Sequence, residues 1–595
     1  MLRRSRALPA LRALLVLVLP ASLAPAAPAP TSTPTHAPAP KLAVVISVDG
    51  LSWARLEGYR PWFVAGLRRL LDEGHVERAA RYQHLNTETG PGHASLGTGA
   101  PPRVTGIVTN SWFEEGKDGS LHAVYCTDQP DPGAPAGTAR VIPGPFNLRV
   151  PTLGDRLVET RPGARVVSLS AKDRGAIFLA GREKAHSVYW YDKETGRFVS
   201  SAAYDPPAAM RAAVRRFNET KAGSMLPGRF GLVWKKWAGP APTPGPKPLP
   251  TPVPASVVQR YQYPVHGLGF DHDLSRFGNL PAGDPPGYFS GIYRSPLVDE
   301  LTADLALAVL NDPALALGHG DVPDLLCLSF SGHDPVSHDY GNESEEELDA
   351  LRRLDFQIGR LLEAFDANYP KGTVLVALSS DHGFPLIPEV AKAIDKTATG
   401  GRIDVGKETL DNFKERLNRM VDDALCLDRS VAPVHGMDGW DLTYGRAAFP
   451  AKSVAGACGP AGRAVTLADV DRVLPGIVRT VWDAEVEDVL LVSQAATWPD
   501  TPVNGFVKND FDPGRSGDVI LVPRSGVQTT YNPGRGSMHG THYEYDIHVP
   551  LVFWGAGVKA GALDRPSTPY DLAPTVGQWL GVTLPQAVGK ALLPR

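Results

Sequence analysis

Residues able to hold a divalent cation occur along the whole length of this chain. Asp49 stands just before the final glycine of "KLAVVISVDG"; Asp334 and His338 lie four apart in "GHDPVSHDYG"; Asp381 and His382 are adjacent in "SSDHG". A late stretch, "GSMHGTHYEYDIHVPLVFWG", offers His539, His542 and His548. Carboxylate oxygens and imidazole nitrogens without thiolates suit Zn²⁺ first, with Mn²⁺ or Mg²⁺ behind it. Singly each residue is ordinary, since an aspartate after a strand often caps a turn or helix. Together they need one crevice to be useful. A threonine stands beside glycine and proline in "LNTETGPGHASLGTGAPP". Glycine and proline disfavour both helix and strand interiors, so the plain reading is a surface loop. The chemical reading is a nucleophile, because a hydroxyl gains reactivity when a cation stabilises its alkoxide. Thr89 is the candidate; Thr87 competes but lacks the proline two positions on.

The elements that would position these residues are visible as a repeated pattern. "KLAVVISVDG", "ARVVSLSAKD", "PDLLCLSFSGHD" and "GTVLVALSSDHG" each run apolar and β-branched into a polar or charged tip. Amphipathic stretches such as "WFVAGLRRLLDEG" and "ESEEELDALRRLDFQIGRLLEAFDANY" separate them. Alternating strands and helices predict an α/β fold with a mainly parallel central sheet flanked by helices. In such sheets ligands collect beyond the carboxyl ends of the strands, where the tips lie.

The ends and the breaks set the domain expectation. "MLRRSRALPALRALLVLVLPASLAPAAPAP" has a basic start, a short apolar run and small residues in A-x-A spacing, which predicts a signal peptide over 1–26. A Pro/Ala-rich linker follows over 27–40. The catalytic domain is expected over 41–595, with cap insertions at about 185–290 and 385–534 and a Pro-rich excursion at Lys235–Pro254. This predicts a secreted or periplasmic protein with no membrane span after cleavage. Hydrophobic content of 43% and charged content of 21% are those of a globular chain. A net charge of -4 over 595 residues gives no basis for a nucleic-acid-binding module. Four cysteines (Cys126, Cys327, Cys426, Cys458) make no framework or CxxC site; Cys426 and Cys458 could pair, and Cys327 reads as a buried small hydrophobe.

Asp49, then Thr-x-Pro-x-His (Thr89–His93), Asp-x-x-x-His (Asp334, His338), Asp-His-Gly (Asp381–Gly383) and a late His-Gly (His539, Gly540) resemble, in that order, the alkaline phosphatase superfamily. More narrowly they resemble its type I phosphodiesterase/nucleotide pyrophosphatase branch, and within it the PafA-type alkaline phosphatases. The resemblance implies two Zn²⁺, one held by Asp49, Thr89, Asp381 and His382, the other by Asp334, His338 and His539, with His542 as the alternative last ligand. His93 then has a supporting role. It also implies that Asn110 in "VTNSWF" and Lys172 and Arg174 in "SAKDRG" bind phosphate. Two fixed cations favour a monoester dianion over a diester. The expected activity is therefore zinc-dependent hydrolysis of small-molecule phosphate monoesters through a phosphothreonine, by a monomer. The alternative is a phosphodiesterase or nucleotide pyrophosphatase. A sulfatase lacks support because the nucleophile stretch has no Cys/Ser-x-Pro-x-Arg, and a non-catalytic binder would hold zinc without turnover.

Overall fold

The computed structural model describes residues 40–593, except 136–137, 139, 221–231, 241, 243–254, 264, 276–284, 343, 407–411, 459 and 531–533. The expected signal peptide, nearly all of the linker and most of the Pro-rich excursion lie outside the described residues. Contacts divide the chain into residues 1–37 and a unit of residues 38–595, which is the unit described here.

Nine strands form the central sheet: β1 (Leu42–Val48), β2 (His75–Glu77), β3 (Val166–Ser170), β4 (Ser187–Asp192), β5 (Arg197–Val199), β6 (Asp324–Phe330), β7 (Val374–Ser379), β8 (Leu551–Gly555) and β9 (Gly561–Leu563), in the order β9-β2-β8-β7-β1-β6-β3-β4-β5. The run β7-β1-β6-β3-β4 is parallel. Antiparallel pairing enters where β8 meets β7 and where β5 meets β4. β1, β6 and β7 are buried along their whole length, which is why they read as continuous apolar runs rather than alternating ones. Helices α1 (Gly66–Glu73), α2 (Thr89–Thr98), α3 (Asp173–Ala180), α4 (Leu297–Leu310), α5 (His333–Tyr340) and α6 (Glu345–Asn368) pack on this sheet or on one another. α6 starts at Ser344, whose hydroxyl accepts from the Glu347 N–H, with three glutamates in the first turn facing the positive end of the helix dipole. The α/β fold with a mainly parallel central sheet is the one expected.

One expectation about the layout changes. Residues 187–199 do not begin an insertion, because they form β4 and β5 of the central sheet. "SVYWYD" has the acidic tip, Asp192, but its body is aromatic rather than an aliphatic run, so it does not match the strand pattern of the others. The segment after β7 builds a compact layer of its own. Val434–Asp438, Asp441–Tyr444, Val519–Pro523 and Val486–Leu491 make a four-stranded antiparallel sheet in that spatial order. An apolar core drawn from Ile403 to Val527, joined by Leu85, packs beneath it, including Leu417, Val470, Leu474 and Leu521. The two ends of this excursion meet, since Gly401–Asp404 pairs in parallel with Val527–Thr530. A Cys426–Cys458 disulfide closes a loop inside it, and Cys126 and Cys327 are free and buried. No described helix is long and apolar enough to cross a membrane.

Candidate active site

The threonine stretch is not a surface loop. Thr89 to Thr98 form α2, every residue of which is buried. Its glycines let backbone pack where a side chain could not. A Cβ on Gly92 would overlap the Asp381 carbonyl oxygen and lie 2.7 Å from Asp381 Cβ, and one on Gly97 would overlap the Phe178 carbonyl oxygen in α3. Pro91, expected in a turn, sits in the first turn of the helix, where the missing N–H had no partner to lose. Thr89 is thereby fixed at a helix N-terminus, where backbone N–H groups and the dipole favour an anion.

The candidate ligands converge from the sheet's carboxyl edge. Asp49 follows β1, Asp381 and His382 follow β7, and Asp334 and His338 lie one turn apart on α5. His539 arrives in the loop that leads toward β8. Ligand-capable atoms of Asp334, His338 and His539 come together, as do those of Asp49, Asp334 and His382. His338 Nε2 and His539 Nε2 lie 3.3 and 3.5 Å from Asp334 Oδ1. His382 Nε2 lies 3.4 Å from Asp49 Oδ1 and 3.5 Å from Asp381 Oδ2. The His382 and His539 rings stack with centroids 3.6 Å apart, so the two groups adjoin. His542 stays outside both groups, packed against Tyr543 and Phe506. His548 also lies apart, with Nε2 on the Arg78 carbonyl.

The donor set fits a cation. Each of His338, His382 and His539 places Nδ1 on a backbone carbonyl, of Ser537, Gly383 and Thr87 respectively, at 2.8–2.9 Å. That fixes Nδ1 as the donor and leaves the Nε2 lone pair facing the carboxylates. Asp49 Oδ1, Asp334 Oδ1 and His382 Nε2 are buried and make no hydrogen bond. Asp381 Oδ1 accepts from the Gly50 and His382 N–H groups, which turns Oδ2 inward. There Oδ2 lies 3.1 Å from His93 Nδ1, without hydrogen-bond geometry. His93 also contacts the Thr89 carbonyl and Ser329 Oγ, so it braces the nucleophile's helix instead of joining the ligands. Burial alone would pull the His382 imidazole below its ordinary pKa, but Asp381 and Asp49 outweigh it and raise it to about 9. Burial and the neighbouring His382 push His539 well below the usual histidine range. Three carboxylates in so small a buried volume call for positive charge, supplied by a proton or by a metal in competition with it.

Phosphate-sized chemistry sits beside this cluster. Lys172 Nζ lies 2.8 Å from Asp49 Oδ2, 2.7 Å from Asp334 Oδ2 and 3.2 Å from Thr89 Oγ1. Burial disfavours its charge, yet Asp334 and Asp49 hold its pKa above the ordinary lysine value. Arg174 Nη2 donates toward Thr89 Oγ1 at 3.4 Å. Asn110 Oδ1 accepts from the Gly90 N–H at 2.8 Å, which leaves its amide nitrogen to donate outward. A cavity of about 230 Å³ opens over Thr89, Asn110, Arg174, Asp334, His338 and His539. Residues of the excursion form part of its wall, among them Val405, Met437 and Trp440.

The type I phosphodiesterase / nucleotide pyrophosphatase profile matches residues 43–544, most of the chain. The chain belongs to that family. Among the family's curated relatives it is similar to alkaline phosphatase PafA of Elizabethkingia meningoseptica, 27% identical over 93% of this chain and 94% of the relative. It is equally similar to alkaline phosphatase PhoD of Zymomonas mobilis, 27% identical over 91% of this chain and 86% of the relative. A crystal structure of wild-type alkaline phosphatase PafA superposes with a TM-score of 0.71 at 26% identity, covering 93% of this chain and 98% of that one.

Three site neighbours were missed in the sequence of this family member. Tyr125 accepts from Arg174 Nη1 at 2.8 Å and donates to Asp173 Oδ1 at 3.0 Å, which steers the guanidinium toward Thr89. Glu88 is half-buried at the cavity wall and accepts from the Asn110 N–H at 2.7 Å, and partial removal from water raises its pKa. Trp440 belongs to the excursion. A tyrosine in "LHAVY" carries no motif; Glu88, adjacent to Thr89, was the one that position alone could have suggested.

Proposed function

We propose that this chain is a secreted or periplasmic alkaline phosphatase that hydrolyses phosphate monoesters with two Zn²⁺ and a phosphothreonine intermediate, acting as a monomer. The observation that carries it is the convergence of buried Lys172 and of Arg174 on Thr89 Oγ1, at the floor of a cavity lined by Thr89, Arg174 and Asn110. Two cations and a neutral amide can engage three non-bridging oxygens, and a dianion gains more from them than a monoanionic diester does. Thr89 Oγ attacks phosphorus in line with the departing alkoxide or phenoxide, and water then attacks the phosphothreonine to release inorganic phosphate. α2 holds Oγ rigidly for this attack, because its glycines lock it against Asp381 and Phe178. Asp49, Asp381, His382 and Thr89 would hold one zinc, and Asp334, His338 and His539 the other. When bound, the ions supply Lewis-acid stabilisation to the threonine alkoxide, the leaving oxygen and the attacking water.

The test compares p-nitrophenyl phosphate with its bis-ester. Wild type is expected to prefer the monoester, and Lys172→Ala/Arg174→Ala to lose monoester kcat/KM by about 10³ or more while the diester changes far less. Thr89→Ala should retain zinc and lose turnover; normal activity in that variant refutes the assignment. A wild type that prefers the bis-ester would instead support the diesterase reading, which the family's own name favours.

A further inference from the structure

We infer that Trp440 is a positioning residue: it stitches the excursion to the nucleophile's approach segment and to the loop carrying His539. The inference rests on the proposed function for its catalytic consequence, and on the geometry alone for its structural one. Trp440 occupies the turn between Val434–Asp438 and Asp441–Tyr444, after Gly439, whose φ of +52° lies in the left-handed region. Its indole Nε1–H donates to the Gly540 carbonyl at 2.8 Å, one residue beyond His539. Its backbone N–H donates to Asn86 Oδ1 at 3.3 Å, three residues before Thr89.

Asn86 is held on its other sides by the same layer. Its Nδ2 donates to Asp441 Oδ2 at 3.2 Å, and its backbone N–H donates to Asp510 Oδ2 at 2.9 Å. The two loops are also tied directly to each other. Thr87 Oγ1 donates to the Thr541 carbonyl at 2.8 Å, and His539 Nδ1 meets the Thr87 carbonyl at 2.9 Å. Asn86, Thr87, Trp440, Asp441 and Asp510 are all buried, so water cannot replace a lost partner cheaply. His539 Nε2 is aimed by a ring whose Nδ1 bond depends on where Thr87 sits, and Thr87 sits where Asn86 and Trp440 hold it. The excursion is thus part of the frame that sets one ligand and the nucleophile at a fixed separation.

Trp440→Phe keeps the aromatic fit and deletes the indole donor. Zinc release from the loaded protein into a chromogenic chelator is followed without substrate, alongside thermal unfolding and monoester kinetics. His539→Ala identifies the release phase that depends on the Asp334, His338 and His539 group. Expected for Trp440→Phe is about tenfold faster release in that phase alone, kcat about tenfold lower and KM unchanged. Unchanged release overturns the inference, and so does equal acceleration of every phase with a lowered Tm, which would mark general loosening. Should Trp440→Phe not fold, Asn86→Ala cuts the other bond of the stitch, the one from the Trp440 backbone N–H, and must accelerate the same phase. Because release is read without substrate, the result stands or falls even if the wild type turns over no monoester.

Discussion

At the scale of single residues, the site works by giving each charged side chain more than one fixed neighbour. Arg174 reaches Thr89 because Tyr125 holds its other nitrogen, and Tyr125 is in turn held by Asp173. Tyr125→Phe keeps the ring and deletes that anchor. It should lower monoester kcat/KM by about tenfold, with diester turnover nearly unchanged, because only the dianion depends on a correctly aimed fork. A parallel loss on both substrates would show that Tyr125 shapes the cavity rather than the arginine. The ligand-type residues were legible from the chain because strand-end aspartates and spaced histidines announce themselves by type. Asp49, Asp334, His338, Asp381, His382 and His539 do meet in one place. Tyr125 was not legible, since a hydroxyl that orients another side chain has no spacing rule; only the fold brings it within reach.

At the scale of elements, α2 is where sequence preference and structure disagree most. Its composition argued against a helix, yet the helix forms because tertiary packing outweighs a propensity deficit of under about 1 kcal/mol per glycine. The glycines are the condition for that packing. Gly92→Ala would drive a methyl into the Asp381 carbonyl, and Asp381 is a ligand candidate. The expected cost is at least about 1–3 kcal/mol with loss of zinc retention, read by thermal unfolding and metal analysis. Gly476 is the matched control, exposed within the helix Leu467–Val481 and with nothing near its missing Cβ. Gly476→Ala should stabilise by about 0.5–1 kcal/mol and leave zinc untouched. If both variants behave alike, close packing of α2 is not what positions the ligand loop.

At the scale of the whole molecule, a parallel sheet delivers acidic groups to one edge and a separately cored layer walls them in. The sheet could be read because buried parallel strands are unbroken apolar runs. The layer could be seen only as a stretch lacking those runs, since short antiparallel strands such as Asp441–Tyr444 carry too few residues to show a period. Gathering so many carboxylates has a consequence for stability. Without metal, His382 supplies one of the compensating charges, and its pKa in the folded chain is raised to about 9 from about 6.5 unfolded. A group whose folded pKa is raised stabilises fully below the unfolded value and loses that contribution as pH rises through the folded one. Metal-free protein should therefore lose stability between about pH 6.5 and 9, by an amount on the order of a few kcal/mol. Bound zinc replaces the proton, so the loaded protein should keep or gain stability over the same range as ligand deprotonation favours the metal. Thermal unfolding of chelator-treated and zinc-loaded protein at stepped pH checks this. The two curves should diverge as pH rises, and His382→Ala should flatten the metal-free one. Parallel curves would mean that the imidazole is not the charge that balances Asp49 and Asp381, and that Lys172 alone carries that role through its contact with Asp49.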